Sequence, residues 1–324
     1  MTRFGYTLMT EQSGPRELVR YAAGAERAGF DFEVMSDHYS PWLDSQGHAP
    51  YAWATLGAVS QVTERVELMT YVTCPTMRYH PAVVAQKAAT VGVLSGGRFT
   101  LGLGAGENLN EHVATAAGYP PANVRQELLV EAIELIGGLF DGGYVNHTGR
   151  HFRVDSAKLW DLPETRVPIA VAVSGAQGVR RFAPLADAMI AVEPDGGLCD
   201  EWDAVSGGTD RKIGQIPICW DPDTGTAVRR AHDQFRWFGG GWKVNSELPG
   251  TSGFAAASQF VTPDDVAGSI PCGPDVDRIV EAVSAYWKAG FTDIALVQVG
   301  DEHQAEFLDW APGHLLPALR DAAG

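Results

Sequence analysis

Four short stretches hold the side chains that could do chemistry. Ser36-Asp37-His38, with Trp42 four residues beyond, sets an imidazole beside a carboxylate and near an indole. An imidazole titrates close to neutrality, so His38 could pass a proton while the adjacent carboxylate orients it or holds a cofactor. The tripeptide reads equally well as a surface loop in which Asp37 caps a helix. The second stretch is Gly102-Leu103-Gly104-Ala105-Gly106-Glu107-Asn108-Leu109-Asn110-Glu111. Alternating glycines let a flat ring or a phosphate approach the backbone, and Glu107 directly after them could serve as acid or base. Their spacing is not the dinucleotide fingerprint G-x-G-x-x-G.

Two further stretches are weaker. Thr70-Tyr71-Val72-Thr73-Cys74-Pro75-Thr76 offers hydroxyls and N–H groups to a ring system, although a plain turn at Pro75 is the simpler reading of that stretch alone. Ser174-Gly175-Ala176-Gln177-Gly178 could present free N–H groups to a phosphate, and a bare strand-to-helix turn would look the same.

The elements that must position these groups alternate between short apolar runs and amphipathic stretches. Strands are expected at 4–8, 32–35, 66–72, 99–103, 169–173, 188–192, 213–220 and 294–299. Helices are expected from Pro15 to a stop at Gly29, over 51–62, from Pro81 through Leu94, over 124–140, and as one final helix over 303–322. Some eight strands alternating with helices argue for an α/β fold with a parallel sheet, and favour a (β/α)8 barrel over an open doubly wound sheet. Active residues in such a barrel gather at the C-terminal strand ends, where all four stretches fall. The segment 144–162 looks irregular and reads as an insertion. Residues 237–253, rich in glycine and aromatics, read as a second insertion or a lid.

Composition narrows the partners. In 324 residues, 45% are hydrophobic and 20% charged, which excludes a disordered chain. The 24 Lys+Arg against 40 Asp+Glu leave a formal charge of −16. Such a field repels nucleic acid and anionic membranes, and the basic pairs Arg180-Arg181 and Arg229-Arg230 do not offset it. It does not forbid a small anionic ligand held locally. Cys74, Cys199, Cys219 and Cys272 are scattered without metal-ligand or redox spacing, so no metal site is expected and a reducing, cytoplasmic setting is. No signal peptide is read at the start, and no apolar run approaches the ~20 residues of a membrane span.

Taken together with Pro15-Arg16-Glu17-Leu18, Gly47-His48-Ala49-Pro50, Arg78-Tyr79-His80-Pro81-Ala82 and Pro271-Cys272-Gly273-Pro274-Asp275, these stretches resemble the luciferase-like superfamily of barrel oxidoreductases. More narrowly, the chain resembles the coenzyme F420-dependent glucose-6-phosphate dehydrogenase family. The resemblance covers nearly the whole chain and implies a single luciferase-like barrel domain over 1–324, with the deazaflavin of F420 in the barrel mouth. It implies His38 as the acid/base beside substrate, Trp42 as an aromatic wall, Glu107 as the carboxylate that exchanges a proton with the deazaflavin, and Glu11 as a further site carboxylate. It implies cofactor contacts at Asp37, Tyr71, Val72, Cys74, Ala105, Gly106 and Asn110, and phosphate contacts at Ser174, Gly175, Gln177 and Gly178. It also implies a non-prolyl cis peptide at Tyr71–Val72.

The departures concern the substrate. The family grips its sugar phosphate with two lysines and an arginine, and the matching positions are Asp195, roughly Asn245 (with Lys243 nearby), and Ser269. A family threonine near the sugar is replaced by Val192. An acid in place of a lysine repels a dianion, so glucose 6-phosphate is expected to be a poor substrate. The expected activity is hydride transfer between F420 and a small alcohol, carbonyl, enone or imine. An FMN-dependent monooxygenase and a non-catalytic F420 binder are the alternatives, and a homodimer is expected from the superfamily.

Overall fold

The computed structural model describes residues 2–206 and 211–324. Ten strands run in chain order: β1 (Arg3–Leu8), β2 (Phe32–Met35), β3 (Glu67–Thr70), β4 (Phe99–Leu103), β5 (Val145–Thr148), β6 (Arg153–Ala157), β7 (Ile169–Ala172), β8 (Ala188–Ala191), β9 (Lys212–Ile218) and β10 (Asp293–Gln298). Eight of them close into a parallel barrel in the order β1-β10-β9-β8-β7-β4-β3-β2, as the alternation of strands and helices predicts. Parallel strands covered on both faces need apolar residues on both. Accordingly β8 reads Ala-Met-Ile-Ala and is buried throughout. Phe32, Val34, Met69, Ala170, Ile190, Ile213 and Ala295 fill the barrel interior, and a larger apolar layer lies between barrel and helices.

The termini of the helices follow local chemistry. The helix Pro15–Ala28 starts on a proline and stops at Gly29, whose φ of 94° is left-handed and whose N–H reaches Ala25 and Glu26. His80 caps Pro81–Leu94 by accepting from the Ala82 N–H at 3.2 Å. The close approach of β3 to β4 requires Gly102, since a Cβ there would lie 1.9 Å from the Thr70 carbonyl oxygen. Just beyond, the chain bulges at the cis peptide Tyr71–Val72 and resumes pairing at Thr73, which bridges Leu103.

Three expectations are corrected. The strand expected to reach Val72 ends at Thr70, where the bulge interrupts the ladder. The segment 144–162 is not irregular: β5 and β6 pair antiparallel as a hairpin. The single helix over 303–322 is two, Gln304–Trp310 and Leu315–Ala323, broken where Pro312 and Gly313 cannot continue the hydrogen-bond ladder. Residues 237–253 hold a short helical turn at Arg236–Gly240 and helices beginning at Trp242 and Thr251.

Candidate active site

A cavity of about 700 Å³ opens at the C-terminal ends of the strands. Its wall includes Glu11, Asp37, His38, Trp42, Tyr71, Val72, Cys74, Ala105, Gly106 and Glu107. Ser174, Gly175, Gln177, Gly178 and Val192 line it as well. The four stretches singled out in the sequence, separated by up to about 140 residues, thus meet in one place.

The centre is an imidazole between two carboxylates. His38 Nδ1 contacts Glu11, and its Nε2 lies 3.1 Å from Glu107 Oε1. Glu11 follows β1 and is fixed by Ser36 Oγ, which donates to its Oε2 at 3.0 Å. Glu107 follows β4, and Asn110 one helical turn on donates to its Oε1. The Asn110 side-chain Oδ1 in turn accepts the N–H groups of Tyr39 at 2.7 Å and Ser40 at 2.9 Å, tying the loop after β2 to the helix Asn108–Thr115 that follows β4. Asn110 therefore stands behind the wall and positions both ends of the His38–Glu107 pair. Glu107 Oε2 is buried with no hydrogen-bond partner among the described residues.

Charge states follow from this geometry. Burial disfavours a charged ring at His38, but Glu107 and Glu11 on either side outweigh it and push the imidazole up to about 9. His38 therefore holds its proton at neutral pH. Burial raises the Glu107 carboxyl above its ordinary value, against the opposing pull of His38. Burial likewise pushes up the Cys74 thiol, which keeps it from reacting as a thiolate.

Asp37 is 1% exposed and holds the loop together. Its Oδ2 accepts from Trp53 Nε1 at 3.0 Å and Thr73 Oγ1 at 2.8 Å. Its Oδ1 accepts from the Tyr79 hydroxyl at 3.2 Å and lies 3.5 Å from the Arg78 guanidinium. Arg78 also pairs with Glu111 at 3.1 Å. No helix begins at Asp37, so the capping reading of the tripeptide falls.

One side of the cavity is aromatic. Trp42 meets the His38 ring edge-on at 5.0 Å and stacks on Trp237 with centroids 4.4 Å apart at 18°. Phe235, Trp237 and Phe238 line the same cavity, so the aromatic part of the 237–253 segment forms a wall of the site. Thr7 and Gln215 add a polar patch, with Gln215 Nε2 donating to Thr7 Oγ1 at 3.0 Å.

Two expected substrate contacts lie elsewhere. Asp195 is absent from the wall and caps the helix Gly196–Val205, accepting from Leu198 N–H at 3.2 Å. Ser269 ends the helix Pro263–Ser269, with its hydroxyl spent on the carbonyls of Asp265 and Val266 at 3.1 Å each. Both side chains are drawn to nearby backbone, as short polar side chains at helix ends commonly are. Asn245 is buried and bonds toward Trp237, whereas Lys243 lines the cavity. Arg125, Phe235, Phe238 and Gln215 carry no motif and were not legible as site residues. Among the described residues no cluster of His, Cys, Asp and Glu is placed to hold a metal ion, and no helix is long and apolar enough to cross a membrane.

The sequence matches the luciferase-like monooxygenase family over residues 1–293. It is 33% identical to an F420-dependent glucose-6-phosphate dehydrogenase of Segniliparus rotundus, with 98% of each chain covered. It is 34% identical to one of Microbacterium testaceum, covering 98% of this chain and 97% of that one. Among solved structures, an F420-dependent secondary alcohol dehydrogenase in complex with an F420–acetone adduct superposes with a TM-score of 0.89 at 27% identity, covering 99% of both chains. The F420-dependent tetrahydromethanopterin reductase of Methanopyrus kandleri shares the fold, with a TM-score of 0.78 at 18% identity and coverage of 98% and 99%. The chain belongs to the luciferase-like monooxygenase family, among its F420-dependent dehydrogenases.

Proposed function

We propose that this F420-dependent oxidoreductase moves a hydride between the deazaflavin and a small, uncharged alcohol or carbonyl compound, and that glucose 6-phosphate is a poor substrate. The Glu11–His38–Glu107 line, set against the apolar wall of Trp42, Trp237 and Phe235, carries this reading.

The residues present fit a deazaflavin. The Tyr71–Val72 bulge and Ala105–Gly106 both line the cavity, and Val72, Cys74, Ala105 and Gly106 there carry short side chains or none. Glu107 Oε2 is a buried carboxylate oxygen still in want of a partner. A Cβ at Gly175 would meet nothing within 4 Å, so the chain leaves open space beside this cavity-lining turn. In this reading Ser174, Gly175, Gln177 and Gly178 surround the phosphate, and Tyr71, Val72, Cys74, Ala105 and Gly106 border the ring. Asp37 and Asn110 act behind them by fixing the loops.

When bound, F420 supplies the carbon that gives or takes the hydride. The chain's own residues manage protons. His38, protonated at neutral pH, donates to a carbonyl oxygen as it gains electrons, or in its neutral form accepts the proton of an alcohol. Glu107 would hold or release a proton at its unpartnered Oε2. Glu11 and Glu107 hold the imidazole in orientation, and Trp42 with Trp237 excludes water from its open face. Support for an uncharged substrate comes from Asp195 and Ser269, which leave the cavity, and from Val192, which lines it.

The test is a panel run without oxygen, comparing short secondary alcohols, their ketones, enones and imines with glucose 6-phosphate, each with F420 of the matching redox state. Turnover with an alcohol–ketone pair at low substrate concentration supports the reading; efficient oxidation of glucose 6-phosphate refutes it. All four cysteines are free and buried, which suits a reducing cytoplasm, and sedimentation tests the expected homodimer.

A further inference from the structure

The cavity's rim carries a feature that proton transfer does not use. Arg125, in the first turn of the helix Ala122–Phe140, lines the cavity although its residue is only 6% exposed. Its Nη1 donates to the Pro120 carbonyl at 2.7 Å, and the guanidinium lies 4.0 Å over the Tyr119 ring. Its Nε is buried with no hydrogen-bond partner among the described residues. Among the described residues its charge is answered only by Glu247, which accepts from Nη2 at 3.0 Å while its own side chain is 56% exposed. Lys243, four residues before Glu247, lines the same cavity and has no ion-pair or hydrogen-bond partner among the described residues. In a chain of formal charge −16, two cations converging on one rim, one held in place and one free, form a local exception.

A buried arginine answered by an exposed carboxylate is a site already shaped for a carboxylate. We propose that Arg125 and Lys243 form an anion site that takes the carboxylates of the cofactor's glutamyl tail, and that Glu247 occupies this site in the ligand-free chain. The proposal rests on the F420 reading above. The tail's carboxylates take the place of Glu247 on Nη2 and meet Lys243 at the open edge. Arg125 is rigid, because Pro120 and Tyr119 fix it, so it sets the direction in which the tail leaves the cavity. Lys243 is a screened point charge and adds to affinity without setting geometry.

The experiment measures binding, by quenching of tryptophan fluorescence, of two probes: F420 with a long glutamyl tail, and F420 trimmed of its glutamates. At low salt the long-tailed form is expected to bind more tightly. Lys243→Gln should narrow that difference by about two- to fivefold, in line with one partly exposed ion pair. Glu247→Gln, which removes the resident competitor, should widen it by a similar factor while leaving the trimmed form unchanged. High salt should erase both effects. Arg125→Gln, checked for folding by circular dichroism, should narrow the difference as well.

Equal affinity of the two probes in wild type and variants overturns the proposal and leaves the F420 reading intact. Failure of both probes to bind overturns the two together. A third arm titrates glucose 6-phosphate into the F420-loaded protein. If Lys243→Gln weakens that binding and leaves tail dependence untouched, the anion belongs to a substrate phosphate and the tail assignment is wrong.

Discussion

Replacing Glu11 with Gln removes one of the two charges that hold the proton on His38, while keeping side-chain size and an oxygen for Ser36. In the wild type the ring is pushed up to about 9 by Glu107 and Glu11 against the opposing effect of burial. A single opposite charge within contact distance displaces a pKa by about 1–3. With Glu107 retained, the imidazole in Glu11→Gln should titrate lower than in the wild type by about 1–3. The assay is the pH dependence of kcat/KM for ketone reduction, which reports groups of the free enzyme. Reduction needs the protonated ring, so its rate should fall as pH rises through about 9 in the wild type and more than one pH step earlier in the variant. Alcohol oxidation needs the neutral ring and should mirror this, rising where reduction falls. Stability follows the same sign. A histidine held above its unfolded value contributes stability that is fully present below about 6.5 and is lost as pH rises through about 9. That contribution is at most about 3 kcal/mol, and urea titrations at the two ends of the window should show a smaller loss in the variant. An alkaline limit of reduction that does not move in Glu11→Gln would refute the coupling of Glu11 to His38.

Other consequences are independent of that one. Glu33 on β2 is 1% exposed, both of its oxygens lack hydrogen-bond partners among the described residues, and burial raises its carboxyl well above the ordinary value. Its ionisation therefore opposes folding, so Glu33→Met should add about 1–3 kcal/mol at pH 8 and flatten the fall of stability above the unfolded carboxylate range, as read by urea denaturation; a less stable variant would contradict this. Asp37→Asn disturbs a carboxylate shared by Trp53, Thr73, Tyr79 and Arg78 and should lower stability by about 3 kcal/mol, visible as a drop in Tm, with an unchanged Tm as the contrary result. Titration should show F420 quenching the protein's tryptophan emission at micromolar concentration and FMN failing to do so, since Trp42 and Trp237 stand on the cavity wall. The opposite pattern would favour flavin-dependent oxygenation.

All eight barrel strands were legible because a doubly covered parallel strand must be a short apolar run between turns, as in β7 and β8. The hairpin β5–β6 was not, because its residues Val-Asn-His-Thr and Arg-Val-Asp-Ser-Ala are polar and largely solvent-facing, and pairing with each other is all that makes them strands. The final helix was drawn too long because its apolar spacing continues across Pro312-Gly313 while the backbone ladder does not. In the site, residues at strand ends were legible from their stretches. Asp195 and Ser269 were misplaced because matching positions along a chain says nothing of nearby backbone groups that capture a short polar side chain. Arg125 was invisible for the converse reason: within an amphipathic helix one arginine looks like any other until the fold turns it toward the cavity.

The account turns on His38 as the group that gives and takes the substrate's proton. Its most direct test is single-turnover ketone reduction by His38→Ala loaded with reduced F420, alongside the cofactor's affinity. The expected rate is lower by about 10²–10⁴ with F420 affinity largely unchanged, because His38 faces two carboxylates and Trp42, while the proposed ring contacts at Val72, Cys74, Ala105 and Gly106 lie on other segments of the wall. Equal rates in the two proteins would remove His38 from the chemistry and with it the role assigned to the Glu11–His38–Glu107 line.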